Sequence, residues 1–341
     1  MNPSHRILLK FVAALAMAGA AASAVRAADS ASPSSITADA AADNAALLAS
    51  KTFYLQRISQ LENRSTPYDE QLSEAWFGLG TTLQTLGEHE EALDALGNAL
   101  QALRISKGLN DPQQIPVLQQ QLVSKEALQQ WEALDASYHL IYYIAQKQFE
   151  AGTRLRFDAL RQLGSWKLHA TTDKLLPGYF DEAAEAAVLY RKEISRINAI
   201  AGSKTQIATL YFDLAAVEFR QVQTINEQPL IDFESSSRAS TTQTQCQPIR
   251  LADGRVSQIC STVEVPNVNV YVMSSQRKSQ ELNLHLEAMR SAVMEGYYAL
   301  QDASVPLEQR STLLPEMQRL SGEYNKFIND NTTADNPRLK P

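Results

Sequence analysis

The chain is poor in the residues that most directly announce chemistry. It holds two cysteines, Cys246 and Cys260, and five histidines in 341 residues. His5, His89, His139, His169 and His285 are scattered, without His-x-His or His-Glu-x-x-His spacing, so no metal ligand set is assigned. No Gly-rich phosphate loop, Gly-x-Ser-x-Gly elbow or Cys–His pairing is present, so the sequence nominates no catalytic residue and no cofactor. It has no basic block either: 31 basic residues face 38 acidic ones, a net charge of −7, a poor match to nucleic acid or anionic lipid. Long apolar runs are missing beyond the first 24 residues, which leaves no integral membrane segment in the remainder.

What is present begins with the N-terminus. His5, Arg6 and Lys10 form a basic start, Phe11 to Ala24 an apolar stretch, and Val25-Arg26-Ala27 a small-residue exit. That order is a secretory signal, residues 1–27, cleaved after Ala27 or, as the alternative, after Ala24. The apolar stretch is short of the ~20 residues needed to span a bilayer, which disfavours a membrane anchor. No cysteine follows it, so a lipoprotein signal is absent. The Ala-rich signal points to a bacterial periplasm. Removing it takes away Arg6, Lys10 and Arg26, leaving 28 basic residues against 38 acidic ones. Residues 28–40 are low-complexity and read as a flexible leader.

From residue 41 to 225 the periodicity is helical. It predicts helices near 41–63, 67–86, 89–106, 112–127, 129–148, 152–170, 179–200 and 203–225. Ser65-Thr66-Pro67 offers a cap and a first-turn proline, Gly87 and Gly108 stand at helix ends, and Asp111-Pro112 restarts the chain. Short connections favour antiparallel helical hairpins. Helix returns over 274–301, with Leu282, Leu286, Met289, Val293 and Leu300 near coiled-coil spacing. A last segment, 306–329, should kink or break at Pro315, and 331–341 read as a disordered tail.

The segment Ser73 to Arg104 carries the most specific pattern: Ala75-Trp76, Leu79-Gly80, Leu83, Gly87, Glu91-Ala92, Leu96 and Ala99-Leu100. Small residues at Gly80 and Ala92 allow two helices to approach closely, while Trp76, Leu79, Leu83, Leu96 and Ala99 supply apolar packing. This resembles the tetratricopeptide repeat (TPR). The extension through Gly108 to Pro112 is similar to the longer, roughly 42-residue unit of kinesin-light-chain-type repeats. A second unit is read at an offset of 41, with Glu132-Ala133 repeating Glu91-Ala92, Leu140 at Ala99, and Gln120-Gln121 replacing Leu79-Gly80. Tyr179 to Ala184 and Leu210 to Ala216 resemble parts of further units. The resemblance implies an all-α, right-handed helical-hairpin solenoid, with three or four stacked units expected. Its inner groove would be lined by Glu74, Phe77, Thr81, Gln84 and Thr85. Phe77 and Thr81 replace the Lys and Asn that some members use to clamp a chaperone C-terminus, which argues against that ligand class. A mixed polar and aromatic groove suits an extended peptide or a partner helix.

Helical periodicity stops near Ile225, and residues 226–273 form an insertion. Residues 234–245 are Ser/Thr-rich and read as mobile. Residues 246–251 and 256–260 flank Asp253-Gly254, a dipeptide suited to a tight turn. Cys246 and Cys260 lie symmetrically about Asp253, facing each other across a hairpin, and a disulfide is the favoured reading in an exported chain. A redox switch or metal pair is the alternative, without a nearby His or other Cys to support it. Val268, Val270 and Val272 alternate with polar or aromatic residues and predict a third strand, making the insertion a hairpin or small meander.

Two other groupings have plain readings. Glu88, Glu90, Glu91 and Asp94 occupy the first turns of a helix, where carboxylates complement the dipole. Tyr138, Tyr142 and Tyr143 crowd one helix and read as packing. The functional expectation is a periplasmic scaffold or adaptor that is not an enzyme and holds another protein or peptide of the cell envelope, in envelope assembly, secretion or surface-polymer export. The alternatives are an enzyme or enzyme subunit with a site at the 226–273 insertion, and a small-ligand binder on the concave face.

Overall fold

The computed structural model describes residues 33–64, 70–233, 240–251, 255–266 and 268–332. The signal segment, the cap at 65–67, the Asp253-Gly254 turn and residues 333–341 of the tail lie outside the described residues. Among the described residues the chain is all-α apart from one β-hairpin. The helices are α1 (Pro33–Arg64), α2 (Glu70–Thr85), α3 (His89–Lys107), α4 (Gln114–Ala127), α5 (Trp131–Gln148), α6 (Arg154–Asp173), α7 (Tyr179–Ala199), α8 (Lys204–Glu227), α9 (Val268–Gln301) and α10 (Leu307–Thr332). Helix α1 starts at Pro33, inside the segment read as a leader. The chain divides into two compact units, residues 1–166 and 167–341, and the division falls within α6.

In the first unit, helices follow one another as antiparallel neighbours: α1 packs on α2, α2 on α3, α3 on α4 and α4 on α5. Helix α2 also touches α4, so the first helices of successive hairpins lie side by side. The core of the first hairpin joins Ile58 and Leu61 of α1 to Ala75, Leu79 and Leu83 of α2 and to Ala92 and Ala95 of α3, with Trp76 packed at its margin. Leu96 and Ala99 are fully buried. Each large aliphatic side chain buried here is worth roughly 1.5–3 kcal/mol. Gly80 makes the close approach possible: a Cβ there would fall 2.6 Å from Leu96 Cγ.

The backbone shows the repeat interval directly. Helix α2 ends in a left-handed residue, Gly87 at φ +80°, and the Glu88 N–H reaches back to the Leu83 carbonyl at 2.9 Å. Helix α4 ends the same way at Gln129, φ +55°, with Gln130 N–H on the Lys125 carbonyl at 2.9 Å. The interval from Gly87 to Gln129 is 42 residues, and the starts of α3 and α5, His89 and Trp131, repeat it. Buried positions follow: Ala92, Ala95, Ala99 and Leu103 correspond to Leu134, Ser137, Ile141 and Ala145. This corrects the offset of 41 read from the sequence. Under that offset Ala92 would match Ala133, which is exposed. The Glu-Ala dipeptide recurs one residue out of phase, and the turn geometry, not the dipeptide, sets the register. At twice the true interval from Leu79-Gly80 stands Leu163-Gly164, again buried, a recurrence missed in the sequence.

In the second unit, α8 is the central helix and packs against α7, α9 and α10. It therefore buries residues on most of its circumference, including Ile207, Leu210, Phe212, Leu214, Val217 and Val222. Helix α9 presents Leu282, Leu286, Met289, Val293 and Leu300, all buried, and Gly296 lets its backbone meet the Phe212 ring. Charges are buried here too, and they are paired. Lys167, 2% exposed, meets Glu182 and, at 2.9 Å, Glu185. Glu218, fully buried, accepts from Arg191 and lies 2.7 Å from His285 Nδ1. Helix α10 continues through Pro315, so of the expected kink or break, the break does not occur. Pro315 and Ser311, whose carbonyl loses its helical donor, are both exposed, so water can serve that carbonyl.

After α8 a short 3₁₀ turn, Leu230–Phe233, leads to β1 (Ser240–Arg250) and β2 (Val256–Pro266), paired antiparallel. Strand β1 begins at Ser240, so residues 240–245 of the Ser/Thr-rich segment are extended backbone paired with β2. The third strand expected over 268–272 is helix, the first turns of α9. Val270 and Ser274, one turn apart, are both buried, and that inward helical face overrides the local alternation of valines. Helix α9 is tied to the end of α8: Lys278 donates to the carbonyls of Asn226 (2.9 Å) and Gln228 (2.5 Å) at the C-terminus of α8. A cation there complements the helix dipole.

Candidate functional site

The face of α2 expected to line a groove is where α2 meets α4. Glu74 and Thr85 are exposed, whereas Phe77, Thr81 and Gln84 are half-buried. Gln84 Nε2 donates to the Gln120 carbonyl at 2.6 Å and to Ser124 Oγ at 2.8 Å, so its amide ties α2 to α4. His89 Nδ1 lies 3.4 Å from the same Ser124 hydroxyl. Thr81 and Thr85 donate to the carbonyls of Gly78 and Thr81, each one turn back, leaving their methyl groups as contact surface. Glu74 and Phe77, with Leu103, Gln113 and Val117, border a hollow of about 10 Å³, room for no more than a water molecule. Nothing the size of a small ligand fits there.

The 42-residue interval extends this face onto α4. Thr81 corresponds to Val123, which is half exposed, and Phe77 to the half-buried Gln119. The result is a strip that crosses two helices, apolar at Phe77 and Val123 and acidic at Glu74 and Glu126.

Beneath the strip the second hairpin is more polar than the first. Lys125, at the position of Leu83, donates to Ser137 Oγ at 2.6 Å and to the Ala133 carbonyl at 3.3 Å. Ser137 stands where the first hairpin has Ala95. Burial pushes the Lys125 ammonium below the ordinary lysine value. The Tyr138 phenol is raised, first by burial and then by the Glu126 carboxylate. Tyr138 stacks on Trp166 at 5.7 Å, Trp131 stacks on the same Trp166 at 6.2 Å, and Trp166 Nε1 donates to Asp135 at 2.8 Å. Of the three tyrosines read as packing, Tyr138 stacks here and Tyr142 is buried, whereas Tyr143 is exposed with Lys147 over its ring.

Elsewhere, among the described residues no group of three or more His, Cys, Asp or Glu side chains is placed to hold a metal. His139 and His169 face Asp135 and Asp173 one helical turn away. Glu88 of the acidic cluster pairs with Lys51 of α1. Cys246 and Cys260 are joined by a disulfide and stand directly opposite each other in the hairpin. A cavity of about 220 Å³ opens between α9 and α10, lined by Met289, Val293, Met294 and Tyr324, with Arg290 at its edge. No described helix is long and apolar enough to cross a membrane.

No family model matches the chain, and no curated protein matches it. Among solved structures it is similar to the nearly identical TPR-like repeats of a Podosopora anserina protein described as a kinesin light chain. That similarity is 12% identity and a TM-score of 0.42, over 56% of this chain and 86% of that one. A Q17M form of the same repeats gives 13% identity and a TM-score of 0.40, over 56% and 85%. The repeat reading of this chain rests instead on its own 42-residue recurrence of caps and buried positions.

Proposed function

We propose that this chain is a scaffold that holds another protein, taking an extended peptide or a partner helix across the strip formed by α2 and α4. The observation that carries this is the side-by-side placement of α2 and α4. It sets exposed Val123 and half-buried Phe77 on one face, with Glu74 and Glu126 beside them. Apolar contacts with flanking acids suit a partner segment that carries apolar anchors and basic neighbours. Gln84 serves this face by fixing α4 beside α2, while Glu74, Phe77, Thr81 and Thr85 touch the partner. The role is binding without catalysis.

The site of action we propose is the periplasm of a bacterium, reached through the signal at residues 1–27, with a partner in the cell envelope. The disulfide between Cys246 and Cys260 supports an oxidising compartment. Envelope assembly, secretion and surface-polymer export are the processes such a scaffold serves. N-terminal sequencing of the mature protein tests the export step, with Ala28 as the expected first residue.

The test of the binding face is site-specific photocrosslinking in intact cells. A photoreactive side chain at Thr81 or Val123 should give one discrete adduct with another protein. The same group at Asn98, exposed on α3, should give none. Equal adducts from all three positions, or none from Thr81 and Val123, would sink the reading.

A further inference from the structure

The hairpin has two edges, and they are not equivalent. Leu251 N–H donates to the Arg255 carbonyl at 2.8 Å. That bond makes Leu251 and Arg255 a hydrogen-bonded pair, so in the observed register the odd-numbered residues of both strands bond each other. Cys246 and Cys260 then form a non-hydrogen-bonded pair, and the N–H and C=O groups of the even-numbered residues point outward. On β1 the outward series includes Pro248, which has no N–H, so that edge cannot offer a continuous ladder. On β2 the outward series is Val256, Gln258, Cys260, Thr262, Glu264 and Pro266, with an N–H at every position but the last and a single charge. Edge strands are ordinarily blunted by prolines, charges or covering elements. Strand β2 carries them only toward its end, at Glu264 and the terminal Pro266, while residues 255–264 are exposed and no described helix packs extensively on them.

We propose that β2 pairs with β2 of a second copy of this chain, antiparallel and centred on Ser261, to make a four-stranded sheet. The sequence of β2 is complementary to itself in that register. Its eleven residues, Val256 to Pro266, have Ser261 as their midpoint, so the two strands overlap over their full length. Ile259 then faces the partner's Val263, and Val263 the partner's Ile259, which forms two pairs of exposed aliphatic side chains on one face, one on each side of Ser261. Glu264 faces the partner's Gln258, so no like charges meet. Outward-pointing residues meet outward-pointing residues, Cys260 with the partner's Thr262 and Gln258 with the partner's Glu264, as an antiparallel ladder requires. A two-stranded hairpin exposed on both faces is marginal in water, and two more strands remove that weakness.

The experiment is sedimentation analysis of the full chain between about 1 and 100 μM. Wild type should pass from monomer to dimer within that range. Ser261→Lys and Ser261→Glu each set like charges face to face across the two-fold, and each should weaken dimerisation at least tenfold. Mixing the two variants should restore a dimer containing one of each. Gln258→Pro removes one outward N–H while leaving the hairpin's own ladder, and it should weaken dimerisation as well. Helix content by circular dichroism should stay constant throughout, because no described helix packs extensively on these positions. A wild type that is monomeric at every concentration overturns the proposal. So does a dimer indifferent to both charges, or a Lys/Glu mixture that stays monomeric. The photocrosslinking at Thr81 and Val123 reads a different surface, so either idea can fail without the other.

Discussion

Gly80→Ala is the substitution that most sharply tests how the first hairpin is held together. Taken alone, replacing a mid-helix glycine by alanine stabilises a helix by about 1 kcal/mol. At Gly80 the new Cβ would lie 2.6 Å from Leu96 Cγ and 2.8 Å from Leu96 Cδ2, well inside contact distance. Leu96 is fully buried and has no free space to swing into, so α2 and α3 must separate or Leu96 must leave its rotamer. Overpacking of this kind costs roughly 1–3 kcal/mol, enough to outweigh the propensity gain and leave a net loss of about 1 kcal/mol. Leu96→Ala removes the obstacle at its own cost of about 2–5 kcal/mol. In that background Gly80→Ala should reverse sign and stabilise by about 1 kcal/mol, giving a coupling of about 2 kcal/mol between the two positions. Gly97→Ala is the control, because its Cβ would meet nothing within 4 Å and should simply stabilise. Urea unfolding followed by far-ultraviolet circular dichroism measures all four proteins. If Gly80→Ala stabilises wild type as much as Gly97→Ala does, the close approach of α2 and α3 is wrong.

Three further outcomes are expected. Gln129 and Ala201 hold the left-handed conformation that Gly87 holds at the corresponding helix end, so Gln129→Gly and Ala201→Gly should each raise stability by about 0.5–1 kcal/mol, read from urea midpoints. Copying the apolar contact of the first hairpin into the second, Lys125→Leu with Ser137→Ala, should stabilise by about 1–2 kcal/mol at neutral pH. Because burial lowers the Lys125 value from the ordinary 10.5, the unfolded chain binds the extra proton in between. The contribution of Lys125 to stability therefore rises with pH through that window and falls as pH drops through the lowered value, and the double variant should lack this slope. Reducing the Cys246–Cys260 bond, which closes a loop with a sequence separation of 14, should cost the hairpin ~3 kcal/mol in the chain-entropy model. Amide exchange in β1 and β2 should then accelerate while the helices keep their thermal midpoint. Loss of the helical transition on reduction would show that the hairpin supports more than itself.

The sequence by itself determined the helices. Local capping and apolar periodicity are written in adjacent residues, and Gly87, Gly108 and the 3.6-residue stripes place most helix ends within a few positions of where they lie, although α1 starts eight residues and α9 six residues earlier than expected. It also determined that Gly80 and Ala92 mark a close contact, because small residues in an apolar stripe have few other uses. The repeat register was not legible. The dipeptide Glu132-Ala133 matched Glu91-Ala92 at 41 residues, yet the left-handed turns at Gly87 and Gln129 fix 42, and a glutamine in that conformation carries no sequence signature. The valines at 268, 270 and 272 misled in the same way: alternation over six residues is a weak local signal, and burial of Val270 with Ser274 on one face of α9 outweighs it. The candidate groove divides along this line. Glu74, Phe77, Thr81 and Thr85 could be named from position in a repeat, but Gln84 turned inward to α4, and Val123 joined the face only once the register was known. Whether a side chain meets solvent or a neighbouring helix depends on residues some 40 positions away, and only the packed structure brings those together.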